Sequence, residues 1–475
     1  MSARRRDYDM VVIGGGAAGL AAAIVSRTLG ARTALIERDR LGGECTFTGC
    51  IPSKTLLHIA RLFRDAGELR SFTSSPHAAA VNAESVMDRV RSVRERIYQA
   101  DDSPPNLERR GIVVLRGSAR FTAPDEIAVT SDTGDGGRVT FRRAIIASGS
   151  EPITLATALP CVTNESLFET SEIPQRFAIA GAGPVGIEMA QAFARLGSAV
   201  SVIAPETRIL TNDDAESAAV VRDVLEREGV RFYLGRSVAD YRLEASRRLV
   251  ELDDRSRIEA DALLAAVGRT SRLGGLGLAA AGVATRDGSI VHDERCRTTS
   301  KRIYVSGDAA GWYRFTHAAE HTSRVAATNA LLGISMKLDE RSMSWATFTQ
   351  PEIAHAGETQ EQLERRGVRF ETYRMPYDRI DRAVTDDARA GSIKVLSDPS
   401  GRILGASVVG ERASDLIAEW ALAIKKRLRL RDLSETIHPY PTYALGNKRL
   451  ADEWSAARVR SKFAWLLRVI YGYRT

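Results

Sequence analysis

Two stretches of the chain repeat one pattern of hydrophobic and polar positions. In residues 9–36, and again in residues 177–203, a short apolar run is followed by a glycine-rich turn, an Ala- and Leu-rich stretch and a second apolar run. Short apolar runs bounded by glycine predict buried strands, and the longer stretch between them predicts a helix. Each stretch is therefore predicted to form a βαβ unit, and two such units predict two nucleotide-binding domains of the doubly wound type.

The pattern changes near residue 340, beyond which strand-like and helical segments alternate. This alternation predicts a further α+β domain. We therefore predict an α/β fold with two doubly wound dinucleotide-binding (Rossmann-like) domains and a C-terminal α+β domain. The predicted bounds are 1–150 and 273–340 for the two parts of the first dinucleotide-binding domain, 151–272 for the second, 341–452 for the α+β domain and 453–475 for a basic, aromatic tail.

Composition and charge narrow the class of protein. Of 475 residues, 44% are hydrophobic and 27% are charged, which is ordinary globular usage and excludes disordered and fibrous classes. The net charge of +7 is too small for this length to indicate a nucleic-acid partner. No apolar run approaches the roughly 20 residues of a membrane span, and the start does not resemble a signal peptide. We expect a cytoplasmic protein with reduced thiols.

The first glycine turn has the spacing of a dinucleotide site, Gly14-x-Gly16-x-x-Gly19. The first glycine permits a tight turn, the second lets the backbone approach a pyrophosphate, and the third lets helix and strand pack closely. Glu37 stands at the end of the next apolar run, where its carboxylate is placed to accept hydrogen bonds from a ribose. This combination of strand, turn, helix and acid predicts nucleotide binding.

The second glycine turn has the same spacing, but the apolar run that follows it ends in a different type of residue. Its three glycines are Gly181, Gly183 and Gly186. The position that matches Glu37 is Ala204, so the acceptor for a ribose 2′-hydroxyl and the repulsion toward a 2′-phosphate are both missing. Arg208 favours a nucleotide with a 2′-phosphate, whereas Glu206 favours one without it. On balance the sequence predicts NADPH in preference to NADH.

Four cysteines are present, and Cys45 and Cys50 are the one close pair among them. Pro52 predicts a helix that begins near Cys50, and the positive helix end together with Lys54 would lower a thiol pKa. The pair is therefore predicted to be catalytic, with one cysteine as a thiolate. Two unpaired thiols, or half of a zinc site, are the alternative interpretations. Zinc is disfavoured because the seven histidines are scattered, and we predict no metal site. Alone in their segments, the other two cysteines are predicted to be buried bystanders: Cys161 and Cys296.

Several motifs together resemble the pyridine nucleotide–disulfide oxidoreductases, the group of glutathione reductase, dihydrolipoamide dehydrogenase and mercuric reductase. The resemblance extends from residue 8 to about residue 452. Residues 42–54 resemble the redox-active stretch of that group. Residues 299–308 resemble the second flavin motif of that group. Residues 147–149 and 266–269 resemble the turns that close its nucleotide domains, and residues 348–353 resemble the start of its dimerisation domain.

The resemblance implies FAD at the first glycine turn, a nicotinamide nucleotide at the second, and a homodimer formed through the α+β domain. Electrons would pass from NAD(P)H through FAD to a Cys45–Cys50 disulfide, with Cys50 near the flavin and Cys45 facing the substrate. Lys54 and Glu188 would form an ion pair near the flavin, and Asp308 would bind its ribityl chain. The further implied cofactor contacts are Gly43, Ser148, Gly149 and Ala318 for FAD and Gly268 for NAD(P).

The sequence departs from the group where a proton carrier is expected. Disulfide reductases place a His-Pro motif there, with a Glu a few residues on, supplied by the partner subunit. Here Tyr440 stands at the histidine position and Leu445 at the glutamate position, while His438 lies two residues upstream. A tyrosine at this place resembles mercuric reductases and their relatives. Those enzymes, however, carry a C-terminal cysteine pair that receives the metal, and no cysteine follows Cys296 in this sequence.

The acceptor is therefore left open: a disulfide, a metal ion or a similar small molecule. A direct NAD(P)H oxidase or quinone-type flavin reductase, and an electron-transfer partner at a membrane surface, are the alternatives. The tail motivates the last of these, because Phe463, Leu467 and Ile470 fall on one face of a basic helix. Docking of that helix on the protein's own dimerisation domain is the favoured interpretation.

Overall fold

The computed structural model describes residues 6–73, 80–131, 134 and 136–471. Its first part contains the first predicted βαβ unit, and β1 pairs in parallel with β2 on one side and with β6 on the other. The elements are β1 (Tyr8–Ile13), α1 (Ala17–Thr28), β2 (Thr33–Glu37), α2 (Gly43–Phe47), α3 (Cys50–Glu68), α4 (Ala83–Ile97), α5 (Pro104–Arg109), β3 (Ile112–Arg116), β4 (Ser118–Ala123), β5 (Glu126–Thr130), β6 (Gly136–Ile146), β7 (Ser150–Pro152) and α6 (Asn164–Leu167).

The second part repeats the unit as a parallel sheet in the order β10-β9-β8-β14, with an antiparallel layer β11-β12-β13 beside it. Its elements are β8 (Arg176–Ala180), α7 (Pro184–Arg195), β9 (Ala199–Ala204), α8 (Ala215–Arg227), β10 (Arg231–Leu234), β11 (Val238–Glu244), β12 (Arg247–Leu252), β13 (Arg257–Glu259), β14 (Ala262–Ala265) and β15 (Arg269–Ser271). The alanines and isoleucine of β8 are buried, which explains why this strand forms a continuous apolar run in the sequence.

The chain then returns to the first sheet. The elements here are β16 (Thr285–Arg286), β17 (Ser289–Ile290), β18 (Ile303–Val305) and α9 (Thr316–Leu332). Strand β18 pairs in parallel with β6, so that the first sheet has the order β3-β2-β1-β6-β5-β4 with β18 also on β6. Helix α9 packs on α1, where the Ser323 hydroxyl donates to the Ala18 carbonyl at 2.7 Å. The second domain is thus inserted between two parts of the first.

The C-terminal part is an antiparallel sheet in the order β19-β20-β23-β22-β21, covered by helices. Its elements are β19 (Ser344–Thr347), β20 (Glu352–Gly357), α10 (Gln360–Arg365), β21 (Glu371–Pro376), α11 (Asp381–Thr385), β22 (Ser392–Ser397), β23 (Ile403–Gly410), α12 (Ala413–Lys425), α13 (Leu430–Ser434) and α14 (Leu445–Tyr471). Trp420 is fully buried beneath the sheet and donates to the Asn447 side chain at 2.8 Å. The predicted fold class is confirmed.

The C-terminal tail continues α14 without interruption, because this helix runs from Leu445 to Tyr471. The exact domain bounds stay predictions. The predicted apolar face lies partly outside the described residues, since the side chains of Phe463 and Leu467 are not among them, whereas Ile470 is exposed. Among the helices described, none is long and apolar enough to cross a membrane.

Candidate active site

The first glycine turn lies at the carboxyl end of β1, where ligands bind to doubly wound sheets. Gly14 has a φ of 101°, and a Cβ there would overlap the Ala147 carbonyl oxygen. A Cβ at Gly19 would overlap the Gly14 carbonyl oxygen in the same way. Gly16 caps α1, and its Cα lies so close to Gly43 that a Cβ on Gly43 would come within 2.8 Å of it. The turn is thus a backbone cradle at a helix N-terminus, which suits a pyrophosphate.

Residues around this cradle fit FAD. The carboxylate of Glu37, at the end of β2, accepts hydrogen bonds from the Gly15 and Asp39 backbone N–H groups. It also lines a cavity of about 460 Å³ together with Leu41, Tyr98, Pro104, Val114 and Arg116. The Ser148 hydroxyl is buried and finds no hydrogen-bond partner among the described residues. A buried hydroxyl without a partner is costly, so a bound group that supplies one fits this place.

The other residues assigned to FAD surround the same sheet end. Gly149, with a φ of 73°, follows β6, and Asp308 follows β18. The Ser150 hydroxyl donates to the Asp308 carboxylate. Ala318 is buried in the first turn of α9. Since Gly14, Ser148 and Asp308 all follow parallel strands of one sheet, the structure brings the predicted FAD residues together.

The second glycine turn repeats the cradle at the end of β8. Gly181 has a φ of 113°, and a Cβ on it would overlap the Ala266 carbonyl oxygen. A Cβ on Gly186 would overlap the Gly181 carbonyl oxygen, while Gly183 caps α7 with nothing within 4 Å of its Cβ position. Gly268, with a φ of 120°, follows β14 at the same sheet edge. This second cradle fits the pyrophosphate of a nicotinamide nucleotide.

The side chain of Arg208 is already engaged in this structure. Its guanidinium donates to the backbone carbonyls of Leu210, Thr211 and Asp213 at 2.8–3.1 Å. It also pairs with Glu361 of the C-terminal domain at 3.2 Å. The sequence assigned this side chain to a 2′-phosphate, but most of its donors hold the loop after β9. With most of its donors engaged, Arg208 would act on a nucleotide mainly through its charge.

Cys45 and Cys50 lie on two successive helices, and the chain reverses at Gly49 between them. Cys45 is in α2 and Cys50 is the first residue of α3. A Cβ on Gly49 would come 3.0 Å from the Glu44 carbonyl oxygen, so the reversal leaves little room for a side chain. Both cysteines are free thiols here and hydrogen-bond each other. The structure thus brings the predicted pair together at the N-terminus of a helix.

The two thiols have opposite acidities. The hydrogen bond from Cys45 lowers the pKa of Cys50 well below its usual value, and the nearby Thr316 and Lys54 act in the same direction. The same hydrogen bond and burial raise the pKa of Cys45. The first turn of α3 adds the positive end of a helix dipole at Cys50. Cys50 is therefore the sulfur that carries a negative charge in the reduced pair.

Thr316 is a site residue that the sequence did not predict. Its hydroxyl lies 3.4 Å from the sulfur of Cys45 and 3.4 Å from that of Cys50. It is the first residue of α9, and more than 260 positions separate it from either cysteine in the chain. No local signal links a threonine to so distant a pair. Only the return of the chain to the first sheet brings the two together.

Lys54 and Glu188 form an ion pair between α3 and α7. The Lys54 ammonium lies 3.0 and 2.8 Å from the two carboxylate oxygens of Glu188. The Glu188 side chain is 5% exposed, and it also accepts a hydrogen bond from the Phe348 backbone at 3.0 Å. Lys54 lies over the Phe348 ring, 4.5 Å from its centroid. A buried carboxylate needs such partners, and this pair fixes a positive charge one helical turn from Cys50.

A second ion pair beside the cysteines was also missed. Glu44, the neighbour of Cys45, pairs with Arg269 at 2.6 Å. Arg269 further donates to the side chains of Ser150 and Asn164 at 2.8 and 2.9 Å. Burial raises the pKa of Glu44 to about 7, against the opposing effect of Arg269. These contacts connect the redox-active stretch, residues 42–54, to β15 at the end of the second domain.

The two candidate proton carriers differ in exposure. The His438 side chain is 6% exposed, and its ring nitrogens hydrogen-bond Glu419 at 2.9 Å and the Thr436 carbonyl at 3.1 Å. Tyr440 is 69% exposed and hydrogen-bonds the Asp381 carboxylate. Of the two side chains, that of Tyr440 is the one exposed on the surface of the chain. In the described ranges, no cluster of three or more His, Cys, Asp or Glu side chains is arranged to hold a metal.

Comparisons with known proteins agree with this geometry. The pyridine nucleotide-disulphide oxidoreductase family matches residues 8–323, and the dimerisation domain of that family matches residues 343–449. A mercuric reductase of Acidithiobacillus ferrooxidans is 33% identical over 95% of this chain and 83% of its own length. A dihydrolipoyl dehydrogenase of Thermus scotoductus is 33% identical over 94% of this chain and 97% of its own.

Solved structures give the same result. LpdA from Mycobacterium tuberculosis superposes with a TM-score of 0.87 at 26% identity, over 94% of this chain and 99% of its own. A Cu(II) complex of the HOCl-induced flavoprotein disulfide reductase RclA from Escherichia coli gives 0.83 at 25% identity, over 94% of this chain and 100% of its own. The matched dimerisation domain supports a homodimer. The chain belongs to the pyridine nucleotide-disulphide oxidoreductase family and is an FAD- and pyridine-nucleotide-dependent oxidoreductase.

Proposed function

We propose that this enzyme passes two electrons from NAD(P)H, through FAD, to a Cys45–Cys50 disulfide and on to a small-molecule acceptor. The observation that carries the proposal is the polarised cysteine pair. Cys50 is held as the more acidic thiol at a helix N-terminus, and Cys45 as the less acidic one. An asymmetric pair of this kind suits a dithiol that reacts at one sulfur and stores charge at the other.

The residues divide the work in the reductive half-reaction. FAD, when bound, supplies the transfer of an electron pair between the nicotinamide and the disulfide. Two electrons and one proton convert the disulfide into a Cys45 thiol and a Cys50 thiolate. The thiolate is stabilised by the Thr316 hydroxyl at 3.4 Å and by the helix end. The Lys54–Glu188 pair holds a fixed positive charge on the same side.

In the oxidative half-reaction, Cys45 is the attacking sulfur. With a disulfide acceptor, Cys45 first passes its proton to the Cys50 thiolate, its hydrogen-bond partner. The resulting Cys45 thiolate attacks one acceptor sulfur, and the other acceptor sulfur takes up a proton and leaves as a thiol. Cys50 then attacks Cys45 and re-forms the Cys45–Cys50 disulfide. Its proton passes to the second acceptor sulfur, which leaves as a thiol, and solvent restores the proton given up by the acid. The leaving sulfur needs a proton, and we assign that role to Tyr440 of the partner subunit, because Tyr440 is exposed and His438 is held inside its own subunit.

The class of acceptor is proposed as a disulfide or a thiophilic metal ion. Relatives include mercuric reductases and dihydrolipoyl dehydrogenases, and a structural neighbour forms a Cu(II) complex. A tyrosine at position 440 supports the resemblance to the mercuric enzymes. The experiment offers the NADPH-reduced enzyme oxidised glutathione, oxidised lipoamide, Hg(II), Cu(II), a quinone and oxygen in turn.

The Cys45→Ser variant tests whether the cysteines carry the electrons. We expect it to reduce its flavin normally and to lose turnover with the preferred acceptor. Cys161→Ser is the matched control, since this thiol contacts Thr157 at 3.3 Å and lies outside the site. Full turnover by the Cys45→Ser variant would show that the flavin reacts directly, as in an oxidase or a quinone reductase.

Replacing Tyr440 tests the assignment of the proton donor. We expect Tyr440→Phe to slow the oxidative half-reaction by about 100-fold or more and to leave flavin reduction intact, because only the protonation of the leaving group is lost. Stopped-flow measurement of both half-reactions separates the two effects. If both are unchanged, Tyr440 has no acid role, and His438→Gln becomes the variant that matters.

The nucleotide preference is proposed as NADPH over NADH. The proposal rests on Ala204, which leaves no carboxylate at the end of β9 to repel a 2′-phosphate. Glu206 is exposed beside it and acts in the opposite direction. The ratio of kcat/KM for the two nucleotides measures the preference, and a ratio in favour of NADH would overturn it.

A peripheral membrane contact is proposed for the end of α14. The start of the tail docks on its own domain, because Trp454 is buried against Gly401 and Arg458 lies 4.9 Å over the Trp454 ring. Val469 and Ile470 are exposed. A chain that ends at Arg458 keeps the docked part and is the variant to compare. Sedimentation with anionic liposomes should recover more of the full chain, and equal recovery would exclude the membrane contact.

A further inference from the structure

The N-terminus of α9 is held on both sides of Thr316. Phe315, which precedes it, stacks on Trp345 with ring centroids 6.4 Å apart and an interplanar angle of 3°. His317, on the other side, stacks on Phe315 at 5.4 Å and hydrogen-bonds the Ser344 carbonyl at 2.6 Å. Residues 344–345 of strand β19 therefore contact both neighbours of the threonine that touches the two sulfurs.

Trp345 is in turn anchored to the second nucleotide-binding domain. Its indole N–H donates to the Asp213 carboxylate at 2.8 Å. Both side chains are buried, with Trp345 at 9% and Asp213 at 3% exposure. Asp213 belongs to the loop after β9 whose carbonyls accept from Arg208. A buried hydrogen bond to a carboxylate fixes direction as well as distance, so the indole ring has a defined place.

We propose that Trp345 and Asp213 are positioning residues that hold the Thr316 hydroxyl against the sulfurs of Cys45 and Cys50. The inference deepens the proposed function and rests on it, because it concerns the stabilisation of the Cys50 thiolate. Thr316 is also the first residue of a 17-residue helix, so its placement aims a helix dipole at the same sulfurs. A shift of α9 would weaken both stabilising effects at once.

Several charged groups act on Cys50 and on Asp213, and a test of Trp345 must leave them unchanged. Lys54, Glu188 and Glu44 act on Cys50 electrostatically. Arg208 and Asp214 act on Asp213, and Asp214 is paired with the buried Lys394 at 2.7 Å. None of these side chains is altered by a change at Trp345. A change at Trp345 does, however, remove the hydrogen bond that lowers the pKa of Asp213. The double variant described below is therefore needed to show that the effect passes through α9.

The test uses Trp345→Phe in the FAD-loaded dimer, because phenylalanine keeps an aromatic ring and loses the N–H. The long-wavelength thiolate–flavin absorbance of the reduced enzyme is titrated against pH. We expect the apparent pKa of the band to rise by about one pH unit in Thr316→Val, which lacks the hydroxyl. We expect a smaller rise in Trp345→Phe, and a return toward the wild-type titration in Thr316→Ser.

A double variant separates positioning from general damage. If Trp345 acts through Thr316, Thr316→Val with Trp345→Phe titrates like Thr316→Val alone. Arg374→Gln is the matched control, because Arg374 joins the same two domains through Glu216 at 2.7 Å without touching Trp345. We expect it to titrate like wild type. If Trp345→Phe fails to bind FAD, Asp213→Ala removes the same hydrogen bond and takes its place.

A wild-type titration in Trp345→Phe, or additive effects in the double variant, would overturn the positioning role. An equal shift in Arg374→Gln would overturn it as well, since the effect would then belong to the domain contact as a whole. The absence of any thiolate band in the wild-type enzyme is a different result. It would contradict the proposed function itself.

Discussion

The two glycine turns of this protein have the same backbone and different surroundings. Gly14 and Gly181 have φ angles of 101° and 113°. A Cβ on either would overlap the carbonyl oxygen of a residue that follows the neighbouring strand, Ala147 in the first domain and Ala266 in the second. In both turns the third glycine packs against the carbonyl of the first. The cradle for a pyrophosphate is therefore set by backbone geometry alone, and it is the same in the two domains.

The two turns differ in the residues that come after each cradle. After the first cradle, β2 ends at Glu37, whose carboxylate accepts two backbone hydrogen bonds. The redox-active stretch, residues 42–54, follows in the sequence. After the second, β9 ends at Ala204, and the next basic side chain, Arg208, is engaged by loop carbonyls. We propose that the two copies bind different nucleotides, and that the residues at the strand end and beyond decide which nucleotide each copy binds.

The largest difference between the two turns is expected when the first glycine of each is replaced by alanine. We expect Gly14→Ala to abolish FAD binding, since the positive φ and the overlap with the Ala147 carbonyl leave no space for a Cβ. We expect Gly181→Ala to keep its FAD and to lose reduction by NAD(P)H. Flavin absorbance of the purified variants and anaerobic reduction measure the two effects. Normal FAD content in Gly14→Ala would contradict the assignment of the first turn.

The carboxylate that distinguishes the first turn should have the next largest effect. We expect Glu37→Ala to weaken FAD binding by about 10-fold to 100-fold, the cost of losing hydrogen bonds to a charged acceptor. Flavin release on dilution into buffer measures the change. Arg116→Ala, which alters another residue of the same cavity, is the control. Equal losses in both variants would mean that the cavity wall, and not the carboxylate, holds the cofactor.

The smallest effect is expected at Arg208, on the second turn. Because most of its donors are used by Leu210, Thr211 and Asp213, Arg208 would favour a 2′-phosphate mainly through its charge. We expect Arg208→Ala to lower the ratio of kcat/KM for NADPH over NADH by about threefold, the size of a weak exposed charge interaction. A loss above about 30-fold would show a direct phosphate contact, and an unchanged ratio would remove Arg208 from the site.

The sequence predicted the features that local pattern determines. Gly14, Glu37 and Cys50 were assigned because strand, turn and helix signals place them at fixed points of a βαβ unit. Thr316 and Trp345 were missed because their roles depend on contacts that form only after the chain returns from an inserted domain. The exposure of Tyr440 could not be inferred from spacing either. The burial of the His438 side chain, which lies between α13 and α14, depends on its contact with Glu419 of α12.

The most direct test of the central claim is an anaerobic titration of the FAD-loaded enzyme with NADPH and with NADH. A long-wavelength thiolate–flavin band should develop with the first two electron equivalents. Because the pKa of Cys50 is lowered, the band should be strong at neutral pH and fade as the pH falls through that lowered value. It should be absent in Cys50→Ser and present in Cys45→Ser without reductant. Full bleaching of the flavin by the first equivalent, with no band and with unchanged behaviour in Cys50→Ser, would contradict the account.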